Sequence, residues 1–231
     1  MKNQIITICI VLTRTDFQEA DRILTLLTPD HGKVRVIAKG VRRPKSKMAG
    51  GIELFSVSEI TVLPGRGELG TLISTRLKRH FADIVKDINR TMLGYEFLKR
   101  MNRLTEDAAG EEYFNLLVAA LEGLDDHELS IELAELWFTM QLLKVTGHTP
   151  NLKTDYAGKQ LEADRTYDFD FDAMAFKPHK EAPFNANHIK LMRLGYGTES
   201  PEVLKQVTDA AAHATDTLNL VTSILKLHVR I

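Results

Sequence analysis

Through residue 80 apolar side chains recur at every second position, and from Phe81 onward they recur at every third or fourth. That change of period divides the chain into a β half and a helical half. Ile6, Ile8, Ile10 and Leu12 alternate with Thr7, Cys9 and Val11, a β-branched run that predicts a first strand. Residues 22–28 predict a second, and Pro29, Asp30, His31 and Gly32 supply the turn into a third strand ending near Lys39. The fourth strand is expected over residues 52–63, its alternation slipping at Leu54 and Phe55 as a bulge or corner would require. The fifth is expected over residues 69–78. Five short strands with no helix between them fit a small closed barrel of the OB type. Between strands four and five, Gly65, Gly67 and Gly70 spell G-x-G-x-x-G. A dinucleotide site needs a helix N-terminus after that motif, and residues 71–79 are β-branched and alternating, so the motif reads as a hairpin turn.

Seven cations, Lys33, Arg35, Lys39, Arg42, Arg43, Lys45 and Lys47, fall within fifteen positions that hold no carboxylate. Ordinary surfaces mix the two signs, so a polyanion site is a better reading than a merely solvated face. Lys33, Arg35, Ile37 and Lys39 alternate with Val34, Val36 and Ala38, which places the charges on the outer face of the third strand. Gly40 and Pro44 then turn the chain into a basic, flexible loop, and Gly50 and Gly51 release it into the fourth strand. Arg66 at the next hairpin tip, with Arg76, Lys78 and Arg79 beyond it, extends the candidate nucleic-acid-binding set. The asymmetry is global. Residues 1–80 carry 14 Lys and Arg against 7 Asp and Glu, a net +7, and residues 81–231 carry 16 against 24, a net −8. A basic module of residues 1–80 for nucleic acid and an acidic one of residues 81–231 for protein partners is the expected division.

Cys9 is the sole cysteine and sits in an apolar run, so it is expected to be a buried thiol, and no disulfide framework is possible. That run is far too short for a membrane span, lacks a small-residue cleavage site and is followed directly by Arg14 and Asp16. A cytoplasmic protein with no membrane partner is expected.

In the second half Phe81, Ile84, Val85, Ile88, Met92 and Tyr95 are spaced for one face of a helix reaching about Leu104. Residues 111–123 predict a second helix through Tyr113, Phe114, Leu117, Ala120 and Leu121, with Glu111 and Glu112 where the helix dipole favours them. Residues 128–146 predict a third, whose Ala134, Trp137, Phe138, Gln141 and Leu142 suit the centre of a bundle, ended by Gly147 and Pro150. Further helices are expected over residues 186–194, after a Ser200 cap with Pro201 at the first position, and over residues 213–229. Residues 151–183 instead alternate Tyr167, Phe169 and Phe171 against Asp168, Asp170 and Asp172, and read as a small β-hairpin insertion. The fold class is therefore α+β and multidomain: a five-stranded OB barrel, then an all-α bundle carrying the insertion. The three aspartates resemble a nuclease metal site but more often form a solvated edge, and no P-loop, H-E-x-x-H or G-x-S-x-G motif occurs. A non-enzymatic binding protein is expected, with an RNA-binding barrel as the open alternative, because OB surfaces accept either polymer.

The early V-L-x-T-R strand, the E-A-D-R-I-L-T-L-L-T strand, the H-G-K turn and the A-K-G-V-R-R-P-K-S segment, all within residues 10–51, together resemble the N-terminal domain of the RecO family of bacterial recombination mediators. The resemblance implies a DNA-binding OB-fold followed by a helical domain, in a nucleoid-associated protein that binds single- and double-stranded DNA and anneals complementary strands. It also implies partners: RecR, the C-terminal tail of the single-stranded-DNA-binding protein and, indirectly, the RecA recombinase. Many members carry two C-x-x-C pairs that hold zinc after a G-x-x-P-x-L segment. Gly147, Pro150 and Leu152 match that segment, but the first pair would fall on Thr154 and Ala157, and no cysteine lies near residues 176–180. No zinc and no other cofactor is therefore expected, and the insertion must hold itself by packing of Tyr167, Phe169, Phe171 and Phe176.

Overall fold

The alternating segments form the strands β1 (Ile5–Phe17), β2 (Asp21–Thr28), β3 (Gly32–Ala38), β4 (Ser56–Leu63) and β5 (Leu69–His80), which close into a barrel in the order β1-β2-β3-β5-β4. The computed structural model describes residues 4–65, 67–105 and 110–229. All pairings are antiparallel except β3 with β5, where Arg35 faces Leu69. This is the expected OB-fold. Its interior is filled by Cys9, Val11, Leu24, Leu26, Val36, Ala38, Ile60, Val62 and Leu72, with Val41 and Ile52 as plugs from the loop between β3 and β4. Burial pushes the Cys9 thiol up to about 12, so it is inert as a thiolate at neutral pH. Ile10 and Leu12 point to the opposite face of β1 and are buried as well, because the helix α1 (Ile88–Leu104) packs on that strand. Where the helix does not reach, Ile6 and Ile8 stay exposed.

Two expectations need correction here. Strand β4 begins at Ser56, not residue 52: Ala49–Ile52 is a 3-10 turn, and the corner falls at Phe55, held at φ 57°. The first helix begins at Ile88, not Phe81, after a 3-10 turn over Ile84–Lys86, and Asp87 caps it by accepting the amides of Asn89 and Arg90. Its buried face is Arg90, Leu93, Phe97, Leu98 and Met101, whereas Val85, Ile88, Met92 and Tyr95 are exposed. The sequence holds two apolar stripes of helical spacing. The one with more apolar area is buried, and the Arg90 guanidinium goes with it by donating to the Leu124 carbonyl at 2.7 Å. Helix α2 (Glu111–Asp125) buries Phe114, Leu117, Ala120 and Leu121 as its spacing predicts.

The chain divides into two compact units, Met1–Asp125 and Asp126–Ile231, so α1 and α2 belong with the barrel. In the second unit α3 (Ile131–Val145) is buried over almost its whole circumference, as an all-round apolar helix must be. Helices α4 (Ala186–Gly197) and α5 (Ala210–His228) pack on it, and Gln141 donates to the Gly195 and Thr198 carbonyls. Pro201–Gln206 is a 3-10 turn capped by Ser200. The insertion contains β6 (Asn151–Asp155), β7 (Tyr167–Asp170) and β8 (Ala175–Pro178) in the order β6-β8-β7, with the expected hairpin between β7 and β8. Phe169 meets Phe171 and Phe176 edge to face, and Phe176 meets Tyr167 and Phe184 likewise. At the turn where a metal ligand pair would fall, the buried Asp155 carboxylate accepts the amides of Ala157 at 2.9 Å and Lys159 at 2.8 Å.

Candidate nucleic-acid interface

The basic loop is built onto the barrel at both ends. It leaves β3 through Gly40, whose left-handed φ of 64° suits glycine and lets the chain turn beneath the Arg43 side chain. The Gly40 amide donates to Asp21 Oδ1 at 2.7 Å, and the Arg42 amide donates to the Ala20 carbonyl at 3.0 Å, so the β1–β2 turn holds the start of the loop. Two further backbone bonds, Arg43 to Gly40 and Ser46 to Arg43, fold the loop on itself. Val41 and Ile52 reach into the barrel core. At the far end the Thr75 hydroxyl donates to the Met48 carbonyl at 3.2 Å, and Gly51 lies so close to Thr75 that any side chain there would collide with it. The loop expected to be flexible is thus strapped from β3 to β5.

That strapping sorts the candidate residues. Arg35, Lys39, Arg42, Arg43, Lys45 and Lys47 are exposed, as is Arg76 on β5, which faces Glu59 across the ladder. Among the described residues no carboxylate forms an ion pair with Arg35, Lys39, Arg43, Lys45, Lys47 or Arg76. Lys39 and Arg43 line a surface depression of about 600 Å³ with Gln18, Glu19 and Asp21. Arg42 lies 3.5 Å from Asp16, which also accepts from Arg22 at 2.9 Å. The Arg22 hydrogen bond, with the charge of Arg42 beside it, holds the Asp16 carboxyl below its ordinary range.

Three other candidates are turned toward the protein. Lys33 Nζ donates to the Asn102 carbonyl at 2.8 Å, near the C-terminus of α1. Lys78 bridges to Glu59 at 2.9 Å and holds that carboxyl below its usual range. Arg79 is paired with Glu122 and lies over the Phe81 ring, 4.8 Å from its centre. Arg66 lies outside the described residues. Sequence reasoning missed the residues that place the loop, namely Asp16, Asp21 and Thr75. Their link to residues 40–51 depends on strand pairing and leaves no local signal.

Residues 1–81 match the family model Recombination protein O N terminal, and residues 86–231 match Recombination protein O C terminal. The chain belongs to the RecO family. Similar RecO relatives include the DNA repair protein RecO of Dehalococcoides mccartyi strain 195, 33% identical over 148 residues, which are 64% of this chain and 58% of that protein. The same-named protein of Rhodopirellula baltica is 33% identical over 159 residues, 68% of this chain and 58% of the relative. That of Desulfatibacillum aliphaticivorans is 30% identical over 149 residues. The matched stretch thus spans less than two thirds of the length of these RecO relatives. Among the described residues no helix is long and apolar enough to cross a membrane, and no three His, Cys, Asp or Glu side chains gather as metal ligands do.

Proposed function

We propose that this RecO-family chain is a DNA repair and recombination mediator that acts by binding and not by covalent chemistry. Its barrel neutralises phosphates of single- and double-stranded DNA, lets complementary strands meet and anneal and, with RecR, helps load RecA onto DNA covered by the single-stranded-DNA-binding protein. The observation that carries the reading is the loop of residues 39–47, which is fixed at both ends and presents Lys39, Arg43, Lys45 and Lys47, with which no carboxylate among the described residues forms an ion pair. Arg35, Lys39, Arg42, Arg43, Lys45, Lys47 and Arg76 are the first contacts, and Lys33, Lys78 and Arg79 are reserves already engaged with the protein. The functional division falls near residue 80, with nucleic-acid contacts before it. The acidic half docks protein partners, RecR and the tail of the single-stranded-DNA-binding protein among them.

The test is annealing of two complementary oligonucleotides, each coated with the single-stranded-DNA-binding protein, followed by energy transfer with and without RecR. The chain should accelerate annealing, and no acceleration would overturn the mediator reading. Competition between single-stranded DNA and RNA of one sequence decides the polymer. Sustained cleavage of either strand by clean protein with Mg²⁺ or Mn²⁺ would establish a nuclease instead.

A further inference from the structure

A groove of about 650 Å³ lies in the second unit between β7 and α5, within the range of about 300–1,000 Å³ typical of binding clefts. Phe169, Phe171, Phe184 and Leu220 give it an apolar lining, and Asp168, Asp170 and Asp216 place three carboxylates on it. Its lining cation, Lys177, lies over the Tyr156 ring, 5.5 Å from the centroid. The carboxylates are not spent on other charges. Among the described residues Asp170 accepts the amides of Asp172 and Ala173 through one oxygen, Asp168 meets the exposed His179 at 3.2 Å, and Asp216 stands 3.9 Å from the buried His188. An apolar cleft with such a charge favours an occupant that is both cationic and apolar.

The backbone adds a shape to that chemistry. Tyr167 and Phe184 exchange both of their amide-to-carbonyl bonds, at 2.8 and 3.2 Å, across the edge of β7 that faces away from β8. In an antiparallel ladder the bonding direction alternates, so the Phe169 amide and carbonyl point to that same outer edge, two residues along β7 from the pair of Tyr167 with Phe184. The segment leading into Phe184 turns at Glu181, held at φ 61°, and among the described residues no backbone bond joins it to Phe169. An open strand edge beside an apolar floor is what an extended peptide adds to.

We propose that this groove binds a short extended segment of a partner protein, paired to the edge of β7 at Phe169. An apolar residue of the segment sits among Phe169, Phe171, Phe184 and Leu220, and its lysines or arginines face Asp168, Asp170 and Asp216. The probe is a fluorescein-labelled peptide KRFKLR, titrated into the full chain by anisotropy, with EEFELE and KKGGKK as controls. KRFKLR should bind at least tenfold more tightly than either control. Asp168→Asn with Asp216→Asn should weaken it tenfold or more with an unchanged melting temperature, and Phe171→Ala about fivefold. Glu199→Gln with Glu202→Gln, which removes two acids outside the groove, should change nothing. Methylating the probe's backbone amides in two alternating sets should abolish binding for one set and spare the other. Equal binding of the acidic control, equal loss in the Glu199 and Glu202 variant, or indifference to both methylated sets overturns the proposal. So does sedimentation showing self-association that Asp168→Asn with Asp216→Asn abolishes, since the occupant would then be a second copy of this chain.

Discussion

On the loop between β3 and β4, Arg43, Lys45 and Lys47 stand exposed with no carboxylate among the described residues paired to them, whereas on β3 and β5 Lys33, Lys78 and Arg79 each hold a protein acceptor. Both groups look alike as residue types. What separates them is geometry. The loop is held through its backbone and its apolar plugs and not through its charges, while the strand cations help join β5 to β4 and the barrel to α1 and α2. A cation available to phosphate is one whose position is fixed by something other than its own charge.

Replacing Arg42, Arg43 and Lys45 by alanine together should produce the largest effect on binding. With about five to seven phosphates neutralised, the log–log salt slope for single strands should be roughly −3.5 to −5, and the triple variant should flatten it by about two for every sequence alike. Stability should shift by no more than about 0.5 kcal/mol per site. Anisotropy titrations across salt concentration measure the slope, and an unchanged value would remove the loop from the interface. Lys33→Ala should do the reverse, costing about 1–2 kcal/mol in denaturant unfolding by orphaning the carbonyl near the end of α1, with DNA affinity within twofold of the parent. If affinity falls tenfold instead, the contrast between the two groups is lost.

A gain-of-binding experiment sharpens the same contrast. Glu59→Gln with Glu122→Gln leaves Lys78 and Arg79 without carboxylates and should steepen the salt slope by about one to one and a half. No steepening would mean that these two cations lie off the path of the strand. The smallest expected effect is none at all. Chelators should leave the melting temperature unchanged, because Asp155 and the aromatic cluster around Phe176 hold the insertion. A fall on chelation would reveal a metal in its stability.

The barrel was legible because each strand carries β-branched alternation and every connection after β2 its Gly and Pro. Faces were harder. Ile88, Met92 and Tyr95 have the helical spacing of a core stripe, yet Leu93, Phe97, Leu98 and Met101 bury more apolar surface, and spacing alone does not weigh one stripe against the other. Ile6 and Ile8 are the most apolar positions at the start of β1, but the pleat turns Thr7 and Cys9 inward there. For the site, the sequence showed how many cations there are and in what order. It could not show that Asp16, Thr75, Glu122 and Asn102 decide which of them face solvent, since each of those meetings spans at least 26 residues of chain.

The corner at Phe55 also bears on biosynthesis. A phenylalanine in the left-handed region costs about 1–3 kcal/mol and persists only where its surroundings hold it. Here they do: the Phe81 amide bonds to its carbonyl at 2.9 Å, the Tyr95 ring packs against it at 5.3 Å, and Gly94 leaves room where even a methyl group would touch the ring. Those supports come after all five strands in the chain, and 40 residues separate Phe55 from Tyr95. At about 5–20 residues per second the ribosome needs roughly 1–3 s to add the residues from Phe81 to Tyr95 once β5 is complete. During that interval the nascent barrel has every strand it needs and still lacks what locks its corner. Chains stalled near residue 80 should therefore be cut readily by protease at residues 49–56, and chains stalled well past α2 should resist.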